Sequence, residues 1–390
     1  MQTPPDPSGG AGARDAEIVR EVLSAIAVPR LTGSAGWSLT TDWLHDRLTA
    51  LGFDVTRQTF TFSDWPVRFG LPLTGALIAA CIAAAGALLH TAHAVLALLV
   101  LVALQAMGAL LLLSAERALL RLPWGRREGI NLFAGPARPR YVVVAHRDSK
   151  SQPLPISIRL LAAAVATLSW LGLALGAGLE AAGVSAAFAP VALAGAGAAA
   201  GLVLAVGAVG NTSPGALDNA SGVAALIAIA ARTRDRTDIA FLVTDAEEFG
   251  LAGASATAGG LAFIEGVINL DGLDDAGAVY VLGPHGMRRR GGAPNIQRAL
   301  IDAAKAMNEE LRPRAVPRGL LLDHIAFTRA GVPALTLMRG TLHSMARVHR
   351  PADRRDRLRG DGCVLAVALV RSALDALIDG RPVASQADRH

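Results

Sequence analysis

The chain has 390 residues, of which 52% are hydrophobic and only 4% aromatic, with a formal net charge of +5 and a mean hydropathy of +0.41. That apolar share lies above the ordinary soluble range, and two cysteines, Cys81 and Cys363, exclude both a disulfide framework and a thiolate zinc site. The positive charge is almost wholly arginine, with Lys150 and Lys305 the only lysines; no basic block alternates with aromatics, so no nucleic-acid partner is expected.

Residues 1–14 are rich in proline and glycine and read as a disordered tail, as do 381–390. Asp15–Ala27 and Trp37–Leu51 show helical periodicity, with Ile18, Val22 and Ile26 on one face of the first. Phe53–Thr61 alternates like a strand. Phe69–Leu89 and Ala94–Ser114 are each long enough to cross a bilayer, which takes about 20 apolar residues, and His90–His93 forms the tip between them. Leu160–Leu179 and Ala186–Val209, separated by Glu180–Gly183, make a second pair. Gly172 with Gly176, and Gly197 with Gly201, give that pair small-residue faces suited to close contact in lipid. Four inserted transmembrane helices and a lipid bilayer as partner are therefore expected.

An even number of spans returns every polar segment to one side. Arg68, Arg117, Arg121, Arg126, Arg127 and Arg159 flank that side, whereas the hairpin tips hold no Lys or Arg. Charge bias then places the polar portion in the cytoplasm, on the plasma membrane of a bacterium. No cleaved signal is visible, because the first apolar run starts only at Phe69.

The polar portion is expected to form one catalytic domain in three parts, 15–66, 116–158 and 210–380, interrupted by hairpins at 67–115 and 159–209. Gly129–Phe133, Tyr141–Ala145, Ile239–Thr244, Val267–Leu270, Val279–Leu282 and Val332–Leu337 read as strands. Asn219–Arg232, Pro294–Asn308 and Cys363–Ile378 read as helices, the second with proline in its first turn. Strands alternating with helices predict an α/β sandwich with a mixed sheet, and such sheets bind ligands at the carboxyl ends of their strands.

Five short pieces lie at what reads as the end of a strand or the start of a helix: AHRDS at Ala145–Ser149, ALDNASG at Ala216–Gly222, DAEEFG at Asp245–Gly250, INLDG at Ile268–Gly272 and VHRPAD at Val348–Asp353; His146, Asp245–Glu248 and Asp271 follow strands directly. Each offers His, Asp or Glu. Oxygen and imidazole donors without thiolates suit zinc or another borderline divalent ion. Taken singly, Asp271 reads as a strand-end turn residue, Glu247 and Glu248 as solvated charges, and His349 as part of an arginine-rich surface. Five pieces together in a fixed order carry much more information than any one.

On these pieces, together with Pro29–Ser34 near the start, the chain resembles the co-catalytic di-zinc aminopeptidases of peptidase clan MH. That family includes bacterial leucyl aminopeptidases, aminopeptidase Y and the glutamate carboxypeptidases; the likeness covers roughly Asp15–Thr61 and Asn131–Ile378. It implies the mixed-sheet, three-layer zinc-exopeptidase fold (phosphorylase/hydrolase-like), two divalent metal ions, zinc by type, and a peptide substrate. By resemblance His146 and Asp271 would hold one metal, Glu248 and His349 the other, with Asp218 bridging them. Glu247 would be the general base, and Asp148 would sit hydrogen-bonded behind His146, fixing its tautomer. His343 competes with His349, but only His349 opens the HxPxD pattern of the family's last ligand. Asp323 and His324 are assigned to the pocket wall or the layer behind the ligands.

The expected function is a membrane-embedded exopeptidase, an aminopeptidase that cleaves amino-terminal peptide bonds with water activated by two metals. A single-zinc glutaminyl cyclase would not need His146 and Asp271. A catalytically inactive binding module would be expected to have lost ligands. The family usually has a short linker between the first His motif and the bridging Asp, whereas Ser149–Ala216 here contains a hairpin. That insertion admits a lipid-anchored or very hydrophobic substrate.

Overall fold

A computed structural model of the chain describes residues 7–118, 122–184, 189–286, 291–317 and 319–380. Two compact units emerge, one of residues 1–61, 127–151 and 211–390, the other of 62–126 and 152–210. In chain order the helices are α1 (Pro7–Ile26), α2 (Ala35–Ala50), α3 (Leu71–His90), α4 (Ala94–Ala118), α5 (Ile156–Ala181), α6 (Pro190–Ala205), α7 (Ser221–Thr233), α8 (Ala252–Ala258), α9 (Pro294–Ala306), α10 (His324–Arg329), α11 (Leu342–Arg347) and α12 (Asp361–Asp379). The strands are β1 (Val55–Ser63), β2 (Arg126–Ala134), β3 (Tyr141–His146), β4 (Ile239–Thr244), β5 (Gly266–Leu273), β6 (Ala278–Leu282), β7 (Leu311–Arg314) and β8 (Ala334–Gly340). Helix α1 begins inside the stretch expected to be a disordered tail.

The first unit is organised on one sheet of order β1-β2-β4-β3-β5-β8-β6-β7. Strands β4, β3, β5 and β8 run parallel, while β2 pairs with β4 and β6 with β8 in antiparallel fashion. The sheet is mixed, as the alternating pattern predicts. Its central strands are near-continuous apolar runs because both faces are covered. Val142, Val144, Ala240 and Leu242 pack with α8 and α10 on one side. Tyr141, Val143, Ala145, Phe241 and Val243 pack with α1, α2, α7, α9 and α12 on the other. Helix α7 is buried on nearly every face, so it needs small and branched residues all round: Leu226, Ile227 and Ile229 have no exposed surface. Burying each such side chain contributes about 1.5–3 kcal/mol.

Parallel strands deliver their carboxyl ends to one edge, and that edge positions the site. His146 closes β3 opposite Thr244 at the end of β4. Asp271 lies two residues beyond Asn269, the β5 residue paired with Val144. The β5–β8 register shifts between Leu270 and Leu273, and Gly272 takes a left-handed φ of +65° there. An irregularity of this kind turns a side chain away from the ladder direction.

The second unit contains α3 to α6, and here the expectation of four spans is corrected. Among the described residues two helices, over Pro66–His90 and Ile156–Ala181, are long and apolar enough to cross a membrane; the apolar stretch Ala94–Leu110 of α4 and the helix Pro190–Ala205 are shorter. Pro190 sits in the first turn of α6, where its fixed φ and missing N–H favour a helix start. The resulting 16 residues rise about 24 Å at 1.5 Å each, short of a hydrocarbon core of about 30 Å. Residues 186–188 and the side chains of 111–114, expected in spans, fall outside the described residues. The small-residue faces do allow close approach: a Cβ on Gly201 would lie 2.6 Å from the backbone of Ala79, and one on Gly197 2.6 Å from Ser169 Cβ. In α5, Trp170 donates its indole N–H to Leu101 O at 3.0 Å.

Candidate metal centre

Five side chains from five chain segments converge at the carboxyl edge of the sheet. Asp218 is central. Its Oδ1 lies 3.2 Å from His146 Nε2 and its Oδ2 lies 3.0 Å from His349 Nε2. His146 Nε2 is also 3.8 Å from Asp271 Oδ1, and His349 Nε2 is 3.0 Å from Glu248 Oε1. The result is two groups, His146–Asp218–Asp271 and Asp218–Glu248–His349, each with ligand-type atoms within 4.8 Å of one another. All five sequence-predicted ligands are brought together, whereas His343 is exposed on α11.

Separations of 3.0–3.8 Å bracket those expected round a bound cation. Ligand atoms about 2.0–2.2 Å from a tetrahedral ion stand about 3.3–3.6 Å apart. Glu248 Oε1 is buried and accepts no hydrogen bond among the described residues, although His349 Nε2 lies 3.0 Å away. Burial acts to raise the Asp218 carboxyl, but His146 and His349 outweigh it and hold the group well below the usual range. Glu248 shows the same contest, with His349 and Lys150 taking it down to about 2.

Local backbone geometry aims these groups. Asp148 Oδ1 accepts the N–H of Glu247 and Oδ2 the N–H of Glu248, each at 3.1 Å. Its carbonyl oxygen lies 3.2 Å from His146 Nδ1 and its Oδ1 3.5 Å away. Only acceptors face Nδ1, so with a cation in the cluster that nitrogen would carry the proton and Nε2 would present its lone pair to the ion. Asp353 makes a similar clamp, accepting the N–H of Leu217 at 2.8 Å and of Asp218 at 3.1 Å. The Asp218–Asn219 peptide is cis. Just before it, Gly215 has φ +58°, and a Cβ there would collide with Asp218 O and stand 2.7 Å from Ser149 Cβ; glycine is required.

Glu247 and Glu248 sit in a single tight turn, Glu247–Phe249. Ala246 and Leu251 on either side have left-handed φ of 53° and 63°, an uncommon conformation for residues with a Cβ. Asp245 helps hold it, its Oδ1 accepting the Ala246 N–H at 2.8 Å. Asp245 also receives Thr32 Oγ1 at 2.8 Å, Trp37 Nε1 at 2.8 Å, Ile130 N at 2.9 Å and Arg147 Nη2 at 3.1 Å. Arg147 and Asp245 are both fully buried, and removing one partner of such a pair typically costs about 3–5 kcal/mol. Arg30, equally buried, donates to the carbonyls of Arg147, Pro214 and Gly215. Burial lowers its pKa to about 10.

The sequence reading gave no role to Arg147, Asp245, Asp353 or Lys150. Arg147 sits between His146 and Asp148, and Asp353 ends the HxPxD pattern, so both were within reach of the motifs. Lys150 carried one signal, its rarity in an arginine-dominated chain.

Glu247 is buried beside this cluster. Burial pushes its carboxyl well above the usual range; His146 opposes this, and Glu248, Asp323 and Asp271 reinforce it. Asp323 accepts from Thr244 Oγ1 with one oxygen, and burial raises it to about 7. His324 is committed elsewhere. Its Nε2 lies 3.1 Å from Gly283 O and its Nδ1 2.7 Å from Thr336 Oγ1, so Nε2 donates and the hydroxyl donates to Nδ1. Burial lowers it to about 4, and a neutral imidazole with both nitrogens bonded is part of a wall.

A mixed α/β sheet with an imidazole–carboxylate cluster at its carboxyl edge defines a hydrolase of the metallopeptidase class. The model of peptidase family M28 matches residues 133–372. The chain belongs to that family and is a metallo-exopeptidase. Among solved structures it is similar to an aminopeptidase from Aneurinibacillus sp. strain AM-1, at 13% identity and a TM-score of 0.54 over 93% of each chain. A zinc aminopeptidase from Bacillus subtilis has 15% identity and a TM-score of 0.54, over 93% of this chain and 94% of that one. A glutaminyl cyclase from Porphyromonas gingivalis has 14% identity and a TM-score of 0.53, over 93% and 98%. No curated protein matches the chain.

Proposed function

We propose that the protein is a membrane-anchored, zinc-dependent aminopeptidase with a two-metal centre. The observation that carries the reading is the Asp218 carboxylate, whose two oxygens face two different histidines, each paired with a further carboxylate. His146 and Asp271 would hold one ion and Glu248 and His349 the other, with Asp218 shared. When bound, a metal pair polarises a carbonyl and acidifies a water. Glu247 takes the proton of the attacking water and passes it to the leaving amine, as a general base turned acid. Asp148 fixes the backbone of both glutamates and the tautomer of His146, so base and ligands keep their separation.

The test is metal content of the full-length protein in detergent, together with hydrolysis of matched free and amino-blocked peptides. About two metals per chain and cleavage of free peptides alone are expected, by the two-metal rule. Cleavage of blocked peptides would end the aminopeptidase reading. Cyclisation of amino-terminal glutamine with one metal per chain would replace it with the cyclase activity named for the Porphyromonas gingivalis neighbour.

The second unit is read as the membrane anchor. Leu161, Leu168 and Leu175 on α5 are 65–66% exposed, and their seven-residue spacing places them in one stripe. Hydrocarbon would cover a surface that is an association liability in water. Arg68, Arg126, Arg127 and Arg159 outside the hairpin tips support a cytoplasmic location for the segments they flank. A cysteine at Thr91, in a background lacking Cys81 and Cys363, is expected to react with an impermeant reagent in intact cells. Release of the protein by a salt wash would defeat the anchor, and protection of Thr91→Cys would reverse the orientation.

A further inference from the structure

Lys150 is one of two lysines among 37 basic residues, and its ammonium lies 2.7 Å from Glu248 Oε2. Both partners are largely out of solvent, with side chains 15% and 3% exposed. The other oxygen, Oε1, stands 3.0 Å from His349 Nε2 and accepts no hydrogen bond among the described residues. One oxygen of Glu248 is thus committed to a fixed cation while its twin faces the cluster. The opposite half of the centre differs in sign: behind His146 Nδ1 stand the carbonyl and carboxylate oxygens of Asp148, at 3.2 and 3.5 Å.

An anion behind an imidazole makes it a stronger ligand. A cation on the far oxygen of a carboxylate does the reverse. It draws charge from the donating oxygen, blocks two-oxygen coordination and repels a divalent ion across a poorly screened interior. Lysine suits this task better than arginine. Its ammonium is a point charge that engages one oxygen, whereas a guanidinium forks onto both oxygens and would take Oε1 from the cluster.

The geometry points to Lys150 as a positioning residue that makes the centre asymmetric, restricting Glu248 to one-oxygen coordination and leaving the ion on Glu248 and His349 the weaker-held of two. This rests on the two-metal reading above.

The experiment equilibrates the zinc-loaded, full-length protein in detergent against graded chelator buffers and counts zinc retained per chain. Wild type is expected to lose one equivalent well before the other. In Lys150→Met that first loss should move to free zinc about 10- to 100-fold lower, the usual reach of groups behind a ligand. In Lys150→Arg it should move the other way, a reversal that a merely structural role would not produce. Cobalt-loaded Lys150→Met should absorb less strongly in the visible range, as an added oxygen raises coordination number. Lys150→Gln replaces the Met variant if that one fails to fold. Two equivalents in wild type with the first loss unmoved, or moved to higher free zinc, in the neutral variant overturn the role of Lys150 and leave the two-metal reading standing. Fewer than two equivalents in wild type remove the two-metal reading itself.

Discussion

Glu247→Gln is expected to lower turnover by about a hundred- to ten-thousand-fold, the usual contribution of a positioned general base, while metal content stays at the wild-type level. The substitution keeps size and shape but removes the proton acceptor. Glu247 belongs to neither group of converging ligand atoms, and its backbone N–H is held by Asp148 at 3.1 Å, so the loop should keep its course. Rate and metal content must be measured on the same preparation. A variant that loses metal in proportion to activity would make Glu247 a ligand and leave the base unassigned.

Asp218→Ala should have the opposite signature. Removing the carboxylate between His146 and His349 takes a donor from both groups at once, and metal affinity should fall by more than about a hundredfold, since groups merely behind ligands already account for 10–100-fold. Thermal unfolding should then lose most of its dependence on added zinc, because a ligand that binds only the folded state stabilises in proportion to its affinity. Retention of both metals by Asp218→Ala would show that the two histidines are bridged by something else. The pair of variants separates base from bridge: one keeps metal without turnover, the other keeps neither.

Much of this candidate centre was legible in the sequence because each of the five converging residues lies at the end of a strand or in a short motif. The alternation of apolar runs placed Tyr141–Ala145, Ile239–Thr244 and Val267–Leu270 in a sheet, and those strands are β3, β4 and β5. Parallel neighbours then bring His146, the Glu247–Glu248 turn and Asp271 to one edge without further information. Short elements were less legible. Strand β7 and helices α8, α10 and α11 have four to seven residues, too few to show a period. The apolar run 186–209 concealed the start of α6 at Pro190, because hydrophobicity marks what can enter a bilayer, not where the helix begins.

The sequence by itself determined the fold class, the order of the metal-type residues and the presence of two inserted apolar hairpin segments, since all three depend on local pattern. Tertiary structure decided which charges meet. Arg147 is bonded to an aspartate 98 residues away in the chain, Asp353 holds a loop more than a hundred residues earlier, and Lys150 caps the far oxygen of Glu248. No periodicity encodes such pairs. They form because a buried charge must find a partner, and only the folded sheet, by bringing separate strand ends to one edge, determines which partner lies within reach.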